Sequence, residues 1–161
     1  MSVTSLPPLM EKKKSSDSTS SNLRSLICDN FVTYHKSHTF HLNVRGPNFS
    51  QYHALLQEVY DKLWEWHDTL AEQLRQGGEL YTFSLGDLSK RSAIKDDAHT
   101  FQTFSEPKLM FKSLESDLEQ LLAVAEKIYL TADPALETVI GDYCADVKKL
   151  EWKICATNGG L

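Results

Sequence analysis

The stretch HLNVRGPNFSQYHALLQEVYDKLWEWHDTLAEQL, His41 to Leu74, decides how this chain is read. Gly46-Pro47 stops the helix before it, and Asn48 stands where it can cap a new one. Phe49, Tyr52, Leu56, Tyr60, Leu63, Trp64, His67, Leu70, Ala71 and Leu74 then recur every three or four residues until Gly77-Gly78. That is the period of a helix with one apolar face. Two acids intrude near the face. Asp68 and Glu72 are four residues apart, so they lie one turn above each other and point the same way. Burying two carboxylates together is costly unless a cation neutralises them. The plainer reading is a helix shoulder turned to solvent or to an arginine of another helix.

His53 lies on nearly the same face, fifteen residues before Asp68, which is about 22 Å along the axis at ~1.5 Å per residue. It cannot share one metal ion with Asp68 and Glu72 of its own helix. His41 closes the preceding helix. Either this set is coincidence, or the site is assembled from two chains, with a two-fold axis running one helix antiparallel to its copy. A competing set is His35, His38 and His41. Spacing of three turns successive side chains by about 60°, so neighbours could clasp zinc while all three could hardly converge. Taken singly, each histidine reads more readily as an ordinary core or surface residue.

Outward from this stretch the chain is helical. Leu23, Ile27, Phe31, Tyr34, His38 and His41 form a stripe whose helix is expected to begin near Ser20 to Asn22. Glu79 to Ser105 is mixed, a long connection with one short helix expected around Leu88 to Asp96. A third helix carries Phe111, Leu114, Leu118, Leu121, Ala125 and Ile128. Asp133 can cap a fourth whose first position is Pro134, where no N–H is needed. The expectation is an all-α chain: a flexible lysine- and serine-rich arm over 1–20, a four-helix bundle over 21–157 and a short flexible end over 158–161. The long connection between the second and third helices favours ferritin-like connectivity, with its one long crossover, over the simplest up-down bundle.

Composition narrows the classes. With 161 residues, 41% apolar and 24% charged, the chain suits one domain with a substantial core. A formal charge of -5 gives no general attraction to phosphate polymers, so nucleic-acid contact would need a local patch. Lys12, Lys13 and Lys14 are the candidate. No apolar run approaches the ~20 residues of a membrane span, and the first twenty residues lack the core of a secretory signal. Cytoplasmic placement follows as the default, with no membrane partner. Cys28, Cys144 and Cys155 form no CxxC pair and read as thiols in a reducing compartment.

The run from His41 to Leu74 resembles the signature of the DNA-binding proteins from starved cells (Dps), the mini-ferritins. That family shows a histidine before an Asn, then Gly-x-x-Phe, and a second histidine twelve residues after the first. An aspartate follows fifteen further on, with a glutamate four beyond it. His41, His53, Asp68 and Glu72 occupy those places, with Asn43, Gly46, Phe49, Tyr60 and Ala71 in the expected surroundings. The resemblance implies a ferritin-like bundle with those residues as the metal ligands, His41 and His53 of one subunit facing Asp68 and Glu72 of another. It implies that ferrous iron is oxidised there by hydrogen peroxide or oxygen and that ferric iron is stored in a homododecamer built from two-fold dimers. Zinc is a competing ion. Leu42 replaces the family's usual tryptophan, and Gln57 stands where many members carry an aspartate; a neutral amide is a poor ligand for iron. Two other functions stay open at this point. One is a DNA-binding, nucleoid-associated protein, with contact through the lysine arm multiplied by many copies. The other is a zinc-binding structural shell.

Overall fold

The computed structural model describes residues 9–100 and 106–160, with side chains described from Asp17 onward except that of Thr100. Its helices are α1 (Leu9–Asn43), α2 (Phe49–Gln76), α3 (Leu85–Arg91), α4 (Pro107–Tyr129) and α5 (Pro134–Thr157), with a 3-10 turn at Ala98–Thr100. Helix α1 packs on α2 and on α4, α4 packs on α5, and α2 also meets α5. The long helices are thus two helical hairpins joined by one long connection, whose short helix α3 lies on α1. This is the expected all-α bundle. Among the described residues no helix is long and apolar enough to cross a membrane.

The helix ends follow local chemistry. Gly46 has φ 124°, a conformation that a side chain would strain, and it turns the chain from α1 into α2. Asn48 occupies the N-cap position, but its side chain makes no cap bond and donates instead to the Tyr52 hydroxyl at 3.2 Å. The Asp133 carboxylate accepts from the backbone N–H groups of Ala135 and Leu136, with Pro134 at the first helical position as expected.

Two boundaries differ from expectation. The short helix runs Leu85–Arg91, earlier than Leu88 to Asp96, because Ser84 and Asp87 form a reciprocal capping box that fixes its start. Helix α1 begins at Leu9 and not near Ser20 to Asn22. No Gly or Pro interrupts residues 9–20, and Thr19 is anchored by donating to the Thr131 hydroxyl at 2.7 Å. Lys12, Lys13 and Lys14 fall within α1, and their side chains, like residues 1–8, lie outside the described residues.

The core is aliphatic, with Leu26, Ile27, Leu56, Leu63, Leu114 and Ile140 fully buried. A few polar groups cross it. Asn30 donates to the Leu63 carbonyl at 2.8 Å and accepts from the Tyr143 hydroxyl at 3.2 Å, joining α1, α2 and α5. Asp29 accepts from the Ser92 hydroxyl and the Ala93 N–H, pinning the connection to α1. Lys36, 2% exposed, meets Asp97 at 2.9 Å and Asp117 at 2.8 Å. All three cysteines are free, and burial pushes the Cys28 thiol up to about 11, which makes it inert.

Candidate metal centre

His41 sits in the last turn of α1 and His53 near the start of α2, so the Gly46 turn folds one over the other. Their rings stack at 3.6 Å between centroids and 23° between planes. His41 Nδ1 donates to the His53 carbonyl at 2.8 Å, and His53 Nδ1 donates to the His41 carbonyl at 2.9 Å. A carbonyl only accepts, so each Nδ1 carries a proton and each neutral ring keeps its lone pair on Nε2. The His41 carbonyl is one of the four that the end of a helix leaves without an intrahelical partner, which is why it is free to take this bond. Phe49 stacks on His53 at 4.8 Å, and Tyr60 meets His41 edge-on at 5.0 Å. His41 is 7% exposed. Burial lowers its pKa from the ordinary histidine value, while the bond to the His53 carbonyl works in the other direction. A ring held neutral, oriented and open at Nε2 is the form in which imidazole binds a metal.

Asp68 and Glu72 lie one turn apart on the exposed side of α2, fifteen and nineteen residues after His53. Within one chain the structure therefore brings the two histidines together and leaves the two carboxylates apart from them. Among the described residues no group of three or more His, Cys, Asp or Glu could hold a metal ion in a single chain. The row of His35, His38 and His41 does not converge. His35 is exposed, 3.9 Å from Asp96, and the His38 ring lies against Tyr60 at 4.4 Å. Trp66 turns inward and donates to Asp146 at 3.0 Å, whereas Trp64 is 54% exposed on the same side as Asp68.

Three features escaped the sequence reading. The exchange of ring and carbonyl between His41 and His53 needs the three-dimensional turn and has no sequence signature of its own. The contact of Tyr60 with His41 was hidden because Tyr60 read as one more apolar position. Lys36 had a signal: it falls between Val32 and Phe40 at helical spacing, and a lysine inside an apolar row must be paired.

A family model for the ferritin-like domain matches residues 20–158. The chain belongs to the ferritin-like family. Relatives of this ferritin-like chain include the "DNA protection during starvation protein" of Helicobacter pylori, 29% identical over 136 residues that cover 82% of this chain and 92% of the relative. The crystal structure of a Dps protein from Bacillus brevis superposes with a TM-score of 0.79 at 26% identity, covering 89% of this chain and 97% of that one. The Dps protein of Vibrio cholerae gives the same TM-score at 23% identity, over 96% and 98% of the two chains.

Proposed function

We propose that the ferroxidase reaction of this mini-ferritin runs at a centre shared by two subunits, with Nε2 of His41 and His53 from one chain and the carboxylates of Asp68 and Glu72 from its partner. The observation that carries the reading is the reciprocal His41–His53 brace, which occupies both Nδ1 atoms and leaves both Nε2 lone pairs without a hydrogen-bond partner among the described residues. Ferrous iron is the substrate. Two carboxylates balance its charge, and two neutral imidazoles complete a mixed nitrogen and oxygen set that suits iron. Removing an electron raises the metal's charge, which the anionic oxygens favour, so the carboxylate pair stabilises the ferric product. The oxidant is hydrogen peroxide or oxygen, and ferric iron passes to storage in the shell of subunits. The arrangement also relieves the exposed Asp68–Glu72 pair of its like-charge repulsion only when metal is bound, so occupancy tightens the subunit contact.

Mixing two crippled chains tests the shared centre. His53→Ala and Asp68→Asn should each oxidise ferrous iron more than about tenfold slower as homo-oligomers, since outer-shell changes alone typically cost metal sites that much. Dissociated together and reassembled, half of the dimers contain one chain of each kind. Every such dimer regains one intact centre, so about a quarter of all centres should recover. No recovery in a reassembled mixture would mean that the four residues do not meet across a two-fold axis.

A further inference from the structure

The last stretch of the long connection is fastened to α1 at two levels. At the first, the Asp29 carboxylate accepts from the Ser92 hydroxyl at 2.8 Å and from the Ala93 N–H at 2.7 Å. About two turns further along α1, two consecutive residues meet two consecutive residues. Lys36 reaches Asp97 at 2.9 Å, and His35 lies 3.9 Å from Asp96. Ile94 and Ala98 are buried, while Lys95 and His99, the other ionisable groups of residues 94–99, are exposed. The two levels differ in kind. The first sets neutral donors on one carboxylate. The second depends on an ammonium that Asp97 does not have to itself. Lys36 also lies 2.8 Å from Asp117 of α4 and donates to the Ser113 hydroxyl at 3.4 Å. The Lys36 side chain is 2% exposed and that of Asp117 7%, so little water screens either charge.

One ammonium cannot neutralise two carboxylates. Asp97 and Asp117 repel each other across it, and Asp29 of α1 adds to the negative charge felt by Asp117. Lys36 and Asp29 on α1 and Asp97 on the connection are the charged groups that act on Asp117. A proton relieves the excess, and Asp117 is the group that takes it. Its burial raises the carboxyl to about 6, against the pull of Lys36. The Asp97 side chain is 37% exposed, which opens the cluster to solvent protons on the connection side. We propose that this cluster is a proton-operated clasp: a proton taken up by Asp117 hands the Lys36 ammonium to Asp97 alone and fastens residues 94–99 to α1. Loss of the proton returns the ammonium to shared use and restores the repulsion. Residues 94–99 then open more often, while Asp29 still holds Ser92 and Ala93. His35 works in the same direction, since it attracts Asp96 only while protonated. The sign follows from linkage. A carboxyl whose folded pKa is raised favours the closed form in acid, and that contribution is lost as pH rises through about 6. None of these groups is a ligand of the proposed metal centre, so the clasp stands or falls independently of it.

Hydrogen exchange of the full-length assembled protein tests the clasp, read by mass spectrometry at about pH 5 and about pH 7.5 and corrected for intrinsic rates. If opening returns Asp117 to its unfolded value of about 3.8, the amides of residues 94–99 should open up to about tenfold less often at the lower pH. Helix α3, fixed by its own capping box, should show no such change. In Asp117→Asn the side chain is neutral at every pH, so residues 94–99 should exchange slowly at both values. In Lys36→Met they should exchange fast at both. His35→Gln removes only the exposed pair and should keep most of the wild-type difference. Equal exchange of residues 94–99 at the two pH values in the wild type overturns the clasp, as does a difference that survives in Asp117→Asn. A difference abolished by His35→Gln also overturns it, since the switch would then be the surface pair. The test does not depend on Lys36→Met folding, because Asp117→Asn leaves Lys36 paired with Asp97.

Discussion

The Nδ1 atoms of His41 and His53 are occupied by main-chain carbonyls, so any further proton must go to Nε2, the atom assigned to iron. Protonation there removes the lone pair and adds a positive charge beside a divalent cation, so acid must inhibit. Burial sets where this happens for His41, because it lowers that ring's pKa. The rate of ferrous oxidation should therefore hold as pH falls through the ordinary histidine range of about 6.5 and drop below it. Initial rates by stopped-flow absorbance between about pH 5 and about pH 7.5 check this. A midpoint above the ordinary value would show that His41 is not the limiting ring. The same shift makes the fold less stable as pH falls, since the unfolded chain takes up the proton first and the cost is complete only below the folded pKa. Of these residue properties, the sequence carried identities and spacings. The two-fold partnership could be inferred only as one of two options, because fifteen residues of helix separate His53 from Asp68.

At the scale of elements, hydrophobic period located all four long helices, and Gly, Pro and capping residues located most of their ends. The buried face of α1 was harder to read. Phe31, Tyr34 and His38 are only half-buried, while Asn30, Thr33, Lys36 and Ser37 are buried. Asn30 and Lys36 are satisfied by partners far along the chain and Thr33 and Ser37 by carbonyls of the preceding turn, and a helical stripe drawn from apolar residues alone is turned away from all four. Lys36 shows how strongly such partners matter. It is the shared cation of Asp97 and Asp117, linking α1, the connection and α4. Burial is the main cause that raises the Asp117 carboxyl to about 6, against the pull of Lys36. A raised folded pKa means that this group's stabilising contribution is full below the unfolded value of about 3.8 and is lost as pH rises through about 6. Lys36→Met strands two carboxylates and should cost about 3–5 kcal/mol near pH 7.5, as breaking buried pairs does. Asp117→Asn should cost far less, because Lys36 keeps Asp97. Urea titrations of both variants at pH 7.5 and 5 decide the matter. Equal losses at pH 7.5 would contradict the assigned asymmetry.

For the whole molecule, the proposed centre is completed by a second chain, which makes iron oxidation and assembly one property. Light scattering in dilute buffer should give a mass near twelve times 18.3 kDa, and fractions of lower order than a dimer should be without ferroxidase activity. A monomer that oxidises iron at the full rate would remove the basis of the shared centre. The apolar and charged fractions are those of a globular chain, but nothing in the composition of a single chain states how many copies surround a cavity. That count depends on angles between faces, which sequence period does not encode.

The connection between α1 and α2 has a consequence for how such a chain can vary through descent. Surface turns ordinarily absorb insertions and deletions with little harm. This one spans the segment between His41 and His53, and each of those rings must find the other's carbonyl. One added residue between them would rotate or lift one ring away, and both bonds would go together because each ring is donor to the other's backbone. The interval between the histidines is thus a fixed length, inherited whole. Side chains such as Leu42 and Asn48 can drift while the number of residues separating the pair cannot.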